Sequence, residues 1–202
     1  VLLLAPHTDD VEFGCGGVVS RLVRQGCDLR YVAFSDCKES IPDGIPQDTL
    51  SKEMLIATDR LGLTDVQLLD YSVRHFPSRR QDILEHLVRV NRDFSPDLVL
   101  TPTTTDIHQD HATVTCEALR AFKKVSILGY ELPWNNLTLP SQVLLTFDAT
   151  DLEAKIHAVE AYRSQSFRYY ASAEYIKSLA LTRGARVGAR YAEAFEPIRI
   201  VL

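Results

Sequence analysis

The sequence has no apolar run approaching the roughly 20 residues that a bilayer span requires, so no membrane-spanning segment is expected. It has no long basic run, and a net charge of −5 leaves a nucleic-acid partner without electrostatic support. Its four cysteines (Cys15, Cys27, Cys37, Cys116) show neither paired zinc-type spacing nor a disulfide framework. Reduced thiols in a cytoplasmic protein are therefore expected. The opening apolar residues lack the basic flank of a secretory leader, which fits that location. No internal repeat and no low-complexity linker is present, and 202 residues suffice for one sizeable core. A single domain over residues 1–202 is expected.

What is present is an ordinary globular composition, 46% hydrophobic and 24% charged, in which apolar runs alternate with helical patterns. Residues 1–5 form a charge-free run that reads as a strand buried on both faces. After the cluster Gly14-Cys15-Gly16-Gly17, the residues Val18, Val19, Leu22 and Val23 recur at helical spacing until Gly26. Cys15 reads as a small buried residue where that helix packs close to the sheet. Further strands are expected at 29–34, 66–69, 98–100, 126–130 and 142–147. Helices are expected from a cap at Asp48 to Leu61, over 80–94 with Ile83, Leu84, Leu87, Val88 and Val90 inward, and over 112–122, 152–162 and 173–183. The stretch 36–47 reads as a functional loop. The pattern predicts an α/β fold: a Rossmann-like, mostly parallel sheet flanked by helices, closed at an edge by a C-terminal strand from Phe195 to Leu202.

Two stretches carry the chemistry. The first strand runs through Pro6 into His7, Asp9, Asp10 and Glu12. The strand Leu98-Val99-Leu100 leads shortly into Asp106-Ile107-His108-Gln109-Asp110-His111. Open α/β sheets place their ligands beyond the carboxyl ends of the strands. Either stretch alone could merely cap a helix. Two strand ends that each deliver His and Asp favour a divalent metal, because such groups are costly to desolvate without a cation among them.

Catalytic zinc takes three protein ligands from His and carboxylate and keeps a fourth position for water. Two His and one Asp from these stretches supply that set. The metal lowers the pKa of bound water from about 15.7 toward about 7, and a carboxylate off the metal can take its proton. Adjacent Asp9 and Asp10 suit that division. His111 can bind metal while His108, oriented by Asp110, faces the substrate. Such chemistry hydrolyses amides or esters; Fe²⁺ or Co²⁺ would fit the same donors.

At these residues the sequence resembles the LmbE-like, or PIG-L-like, family of zinc-dependent N-acetylglucosamine deacetylases. The family's first motif, His-Pro-Asp-Asp-x-Glu, is matched by His7-Thr8-Asp9-Asp10-Val11-Glu12 except at Thr8. Its second, His-x-Asp-His, is matched by His108-Gln109-Asp110-His111. Leu61-Gly62, Lys155, Ser164-Gln165, Arg183-Gly184 and the segment Tyr191-Ala192-Glu193-Ala194-Phe195 look like further landmarks. The resemblance implies His7, Asp10 and His111 as zinc ligands and Asp9 as the general base acting on a zinc-bound water. It implies that His108, paired with Asp110, stabilises the tetrahedral intermediate or protonates the leaving amine. Tyr191 would help bind the oxyanion, or is simply a strand-edge aromatic. The family often carries an Arg three residues before the position of Glu53, where it meets substrate. Leu50 stands there, and Lys52 is the nearby cation for substrate binding. The implied partner is a small amino-sugar substrate, and a homo-oligomer is compatible.

Two other classes are weighed. A nucleotide-binding module is suggested by Gly14-x-Gly16-Gly17 after a strand, with Asp36 about 20 residues on. Val19 breaks that fingerprint, and Asp9 and Asp10 would repel a pyrophosphate. A non-catalytic carbohydrate-binding member would have no need of Asp9. Within the enzymes, the runner-up is an amidase acting on another sugar conjugate, such as one bearing a thiol.

Overall fold

The computed structural model of the chain describes residues 1–41, 44–138 and 143–201. Seven strands form one sheet: β1 (Leu2–Ala5), β2 (Arg30–Ala33), β3 (Asp65–Leu68), β4 (Leu98–Pro102), β5 (Ser126–Tyr130), β6 (Val143–Phe147) and β7 (Tyr191–Arg199). Their order is β3-β2-β1-β4-β5-β7-β6. The first five run parallel, while β7 is antiparallel to both β5 and β6. Six helices flank the sheet: α1 (Asp10–Arg24), α2 (Thr49–Arg60), α3 (Arg80–Phe94), α4 (Gln109–Ala121), α5 (Ala149–Val159) and α6 (Ala173–Ala185). None is long and apolar enough to cross a membrane among the described residues. The strand order reverses beside β1, so β1 and β4 open a crevice at their carboxyl ends.

The pleat explains why β1 is apolar throughout. Leu3 and Ala5 belong to the core on one sheet face, Leu2 and Leu4 to the core on the other. Tyr31 and Ala33 against Val32 and Phe34 repeat the division on β2 and its end. Each fully buried Leu contributes about 1.5–3 kcal/mol.

Several elements differ from the sequence reading. The first helix begins at Asp10, so the glycine cluster lies inside it. Helix propensity disfavours glycine by about 1 kcal/mol per residue, and close packing overrides it. A Cβ on Gly14 would sit 2.3 Å from Cδ2 of Tyr130, and one on Gly17 would sit 2.8 Å from Cζ of Phe147. The helix also breaks at Cys15, whose φ of −145° and ψ of 22° are not helical. There a buried ion pair enters the hydrogen-bond ladder. Lys155 Nζ donates to the carbonyl of Phe13 at 2.6 Å and to Glu193 at 2.6 Å. Glu193 accepts from the N–H groups of Gly17 (3.0 Å) and Val18 (2.8 Å). The Phe13 carbonyl and the N–H groups of Gly17 and Val18 thus keep partners across the kink.

Asp48 precedes α2 without a side-chain cap; it pairs instead with Lys52 at 2.6 Å on the surface. Val88 faces solvent, while Ile83, Leu87 and Val90 are buried. The C-terminal strand starts earlier than expected, at Tyr191, and joins the antiparallel margin one place in from the rim, because β6 pairs outside it. Positions 142 and 202 of the expected strands, and positions 42 and 43 of the expected functional loop, lie outside the described residues.

Candidate metal centre and pocket

The first motif occupies the turn between β1 and α1, and that turn is anchored from below. The carbonyl of Thr8 accepts from the hydroxyls of Tyr31 and Tyr162. The same two hydroxyls meet the wholly buried Glu12, each at 3.1 Å. Burial pushes the Glu12 carboxyl up to about 8, so at neutral pH it is a neutral acid that can itself donate. Glu12 is therefore an anchor of the turn, remote from solvent.

The second motif opens α4. His108 is the N-cap residue, and its Nδ1 accepts from the Asp110 N–H at 3.2 Å. His111 is buried in the first turn. This brings His7, Asp10 and His111 together from two strand ends. His111 Nε2 lies 3.0 Å from His7 Nδ1. Asp10 Oδ2 lies 3.5 Å from His7 Nδ1 and 3.3 Å from His111 Nε2. Ligand atoms about a tetrahedral zinc with bonds of about 2.0–2.1 Å stand about 3.3 Å apart. His108 is the outer member of the cluster: His7, His108 and His111 each offer a ligand atom within 4.8 Å of the others.

Proton bookkeeping makes the fit to a cation stronger. His7 Nε2 meets Asp110 Oδ2 at 3.1 Å, which fixes its proton there and leaves Nδ1 bare. His111 Nδ1 meets Asp106 Oδ2 at 2.8 Å, which in the neutral ring favours the lone pair on Nε2. Two imidazole nitrogens and a carboxylate oxygen therefore converge on one point, where a proton or a cation reconciles them. Burial opposes protonation of His111, but Asp10 and Asp106 outweigh it and hold its pKa above the usual value. The site draws positive charge even in the form of a proton. The donor set fits a divalent transition metal.

Asp110 does not orient His108 through its carboxylate, as the sequence suggested. Its wholly buried carboxylate needs several donors. It finds them in His7 and in the N–H groups of Arg74 (2.6 Å) and Phe76 (3.3 Å). Burial would raise its pKa, and these partners turn the shift downward. Arg74 has φ of 72°, an unusual conformation for a bulky residue, and it aims its N–H at Asp110.

A cavity of about 190 Å³ opens beside the cluster. His7, Asp9, Asp10, His108 and His111 line one part, and Phe13, Trp134 and Tyr170 supply an aromatic wall. The Trp134 and Tyr170 rings stack at 3.8 Å between centroids and 10° between planes. Asp9 is pushed up to about 6, by burial first and by Asp10 next, with His7 and Arg168 partly offsetting both. His108 is pushed down to about 4 by burial and by His111 and His7. Ser40 and Cys37 of the expected functional loop also line the cavity.

Two expected substrate contacts are not brought here. Lys52 is exposed on the outer side of α2, paired with Asp48. Leu50 lines the cavity, and two residues along a helix is a turn of about 200°, so both cannot face it. Tyr191 is buried against Phe147, rings stacked at 6.2 Å, and serves the packing of the outer sheet. Sequence reasoning gave no role to Asp106, Arg74, Trp134, Arg168 or Tyr170. Only Asp106, in the second motif itself, carried a local signal.

The chain is similar to several known proteins. It is 27% identical over 218 residues to diacetylchitobiose deacetylase from Thermococcus kodakarensis, covering 96% of this chain and 80% of that protein. In structure it matches N,N'-diacetylchitobiose deacetylase from Pyrococcus horikoshii with a TM-score of 0.82 at 21% identity, over 99% of this chain and 85% of that one. It matches GalB, the 4-carboxy-2-hydroxymuconate hydratase of Pseudomonas putida KT2440, with a TM-score of 0.80 at 20% identity, over 100% and 97%. The shared fold therefore does not choose the reaction. Residues 2–122, which contain both motifs and most of the parallel sheet, match the PIG-L family, described as GlcNAc-PI de-N-acetylase, and the chain belongs to that family.

Proposed function

We propose that the protein is a zinc-dependent hydrolase that removes the N-acetyl group from an N-acetylglucosamine-containing substrate. The observation that carries the reading is the convergence of three potential ligand atoms, from His7, Asp10 and His111, beside an open cavity. Family membership and the deacetylase named among the relatives support the acetamide as the group attacked. These three residues would hold the metal, with Fe²⁺ or Co²⁺ as fitting substitutes. A divalent metal there supplies Lewis acidity that makes water acidic near neutral pH.

The chain's own residues supply the rest. Asp9 lines the same cavity and, with its pKa raised to about 6, is suited to take a proton from the attacking water. The water oxygen bonds to the acetyl carbon, the C–N bond breaks, and the proton passes from Asp9 to the departing nitrogen. His108 is neutral, and since its Nδ1 accepts from Asp110, its proton is on Nε2. It is a hydrogen-bond donor for the charge that develops on the carbonyl oxygen. Trp134 and Tyr170 offer a flat apolar surface to the ring face of a sugar. The nucleotide-binding alternative loses its support, because Gly14, Gly16 and Gly17 are spent on Tyr130, Lys155 and Phe147.

The test is acetate release from N-acetylglucosamine derivatives by the metal-loaded protein, together with metal analysis. Asp9→Asn should keep the metal and lower kcat by roughly 10²–10⁴-fold. A folded, metal-loaded protein that frees no acetate from any such derivative would overturn the reading.

A further inference from the structure

Among the described residues, Arg168 is the one lysine or arginine that lines the cavity. Its hydrogen-bond partners are neutral. Nε donates to Gln165 Oε1 at 2.7 Å, and Nη1 donates to the Tyr170 hydroxyl. The guanidinium also lies 5.6 Å from the ring centroids of Phe167 and Tyr170. Elsewhere Arg24, Arg30, Arg80 and Arg183 each meet a carboxylate. Arg168 is held by hydrogen bonds to neutral groups, with Asp9 the carboxylate within its electrostatic reach.

What holds it is itself fixed. Glu53 on α2 accepts from the Ser164 N–H at 2.9 Å and from its hydroxyl. Gln165 Nε2 in turn donates to that hydroxyl at 3.2 Å. Tyr170 is clamped by its stack on Trp134. A guanidinium has five N–H donors, and two are used, so three remain for a ligand. Leu50 is the α2 residue that lines the cavity, which leaves the cavity without a cation from that helix. Asp9 and Asp10 line the same cavity and repel an anion unless a cation meets it.

We propose that Arg168 is a specificity-determining residue that selects amino-sugar substrates bearing a carboxylate or phosphate beside the N-acetylglucosamine unit. The proposal rests on the deacetylase reading above. Its purpose is discrimination: the pre-set guanidinium favours the charged substrate over a neutral one of similar size.

The test compares acetate release from three probes: the neutral methyl glycoside of N-acetylglucosamine, its carboxymethyl glycoside, and N-acetylglucosamine 1-phosphate. The two charged probes separate a carboxylate from a phosphate. The ratio of charged to neutral kcat/KM should be about tenfold or more in the metal-loaded wild type, as one charged hydrogen bond implies. Arg168→Met should bring that ratio within about threefold of unity. Arg168→Lys should keep part of it, since a point charge lacks the planar fork. Raising salt from about 0.05 to about 0.5 M should erode the ratio in the wild type. Any effect of Arg168 on Asp9 or on loop packing falls on all three probes and cancels in the ratio. A ratio unchanged in Arg168→Met overturns the proposal, including one that persists because the anion meets the metal directly. Acetate from the neutral probe with no preference in the wild type also overturns it, and leaves the deacetylase reading standing. No acetate from any probe sinks the reading beneath both.

Discussion

Two buried clusters of charged and polar groups flank the first turns of α1, and they are built to opposite rules. At the kink, Lys155 and Glu193 pair with each other and with the backbone of Phe13, Gly17 and Val18. Positive and negative partners balance there. At the start of the helix, His7, Asp10 and His111 turn two ring nitrogens and a carboxylate oxygen toward one another at 3.0–3.5 Å. The far ring nitrogens of His7 and His111 are satisfied by Asp110 and Asp106, and the His7 N–H donates to Asp10 Oδ2 itself, so what imbalance is left is directed at one point. A buried cluster that satisfies itself is structural, and one that leaves acceptors facing each other is a place for a cation.

That contrast can be broken at either end. His111→Ala should cut activity by about 10³-fold or more, as metal content falls, while the fold persists. Metal analysis of the purified variant beside its circular dichroism spectrum checks this, and full metal occupancy would remove His111 from the ligand set. Lys155→Met should do the reverse. It leaves Glu193 buried and uncompensated, at a cost of about 3–5 kcal/mol in urea unfolding, with metal binding retained in the folded fraction. An apolar replacement of both partners should not recover the loss, because Gly17 and Val18 would then lack acceptors. Asp110→Asn should have the smallest effect, weakening metal affinity about 10- to 100-fold through His7 alone. A competition titration with a chelator measures it, and an unchanged affinity would mean that His7 keeps its tautomer without help.

The same contrast marks what the sequence made legible. Apolar runs of four or five residues and helical periodicity located the parallel strands and most of α3, because those patterns record local burial. The two motifs located His7, Asp9, Asp10, His108 and His111, because catalytic groups cluster at strand ends. The glycines were misplaced: whether a glycine ends a helix or lets a ring approach it depends on the neighbour. Here the neighbours are Tyr130 and Phe147, more than 100 residues away.

The sequence by itself determined the α/β layering, the two strand ends that meet at the cavity and the histidines and carboxylates found there. These depend on side-chain periodicity and on short spacings, which a chain expresses locally. Only the tertiary structure decided that the Asp110 carboxylate serves His7 while its N–H serves His108, and that Asp106 serves His111. It also decided that Arg168 rather than Lys52 faces the pocket, and that Tyr191 packs on Phe147. Each of these depends on which way a side chain turns once distant segments meet. That direction is set by packing and by the need to pair every buried polar atom, neither of which is written in the spacing of residues along the chain.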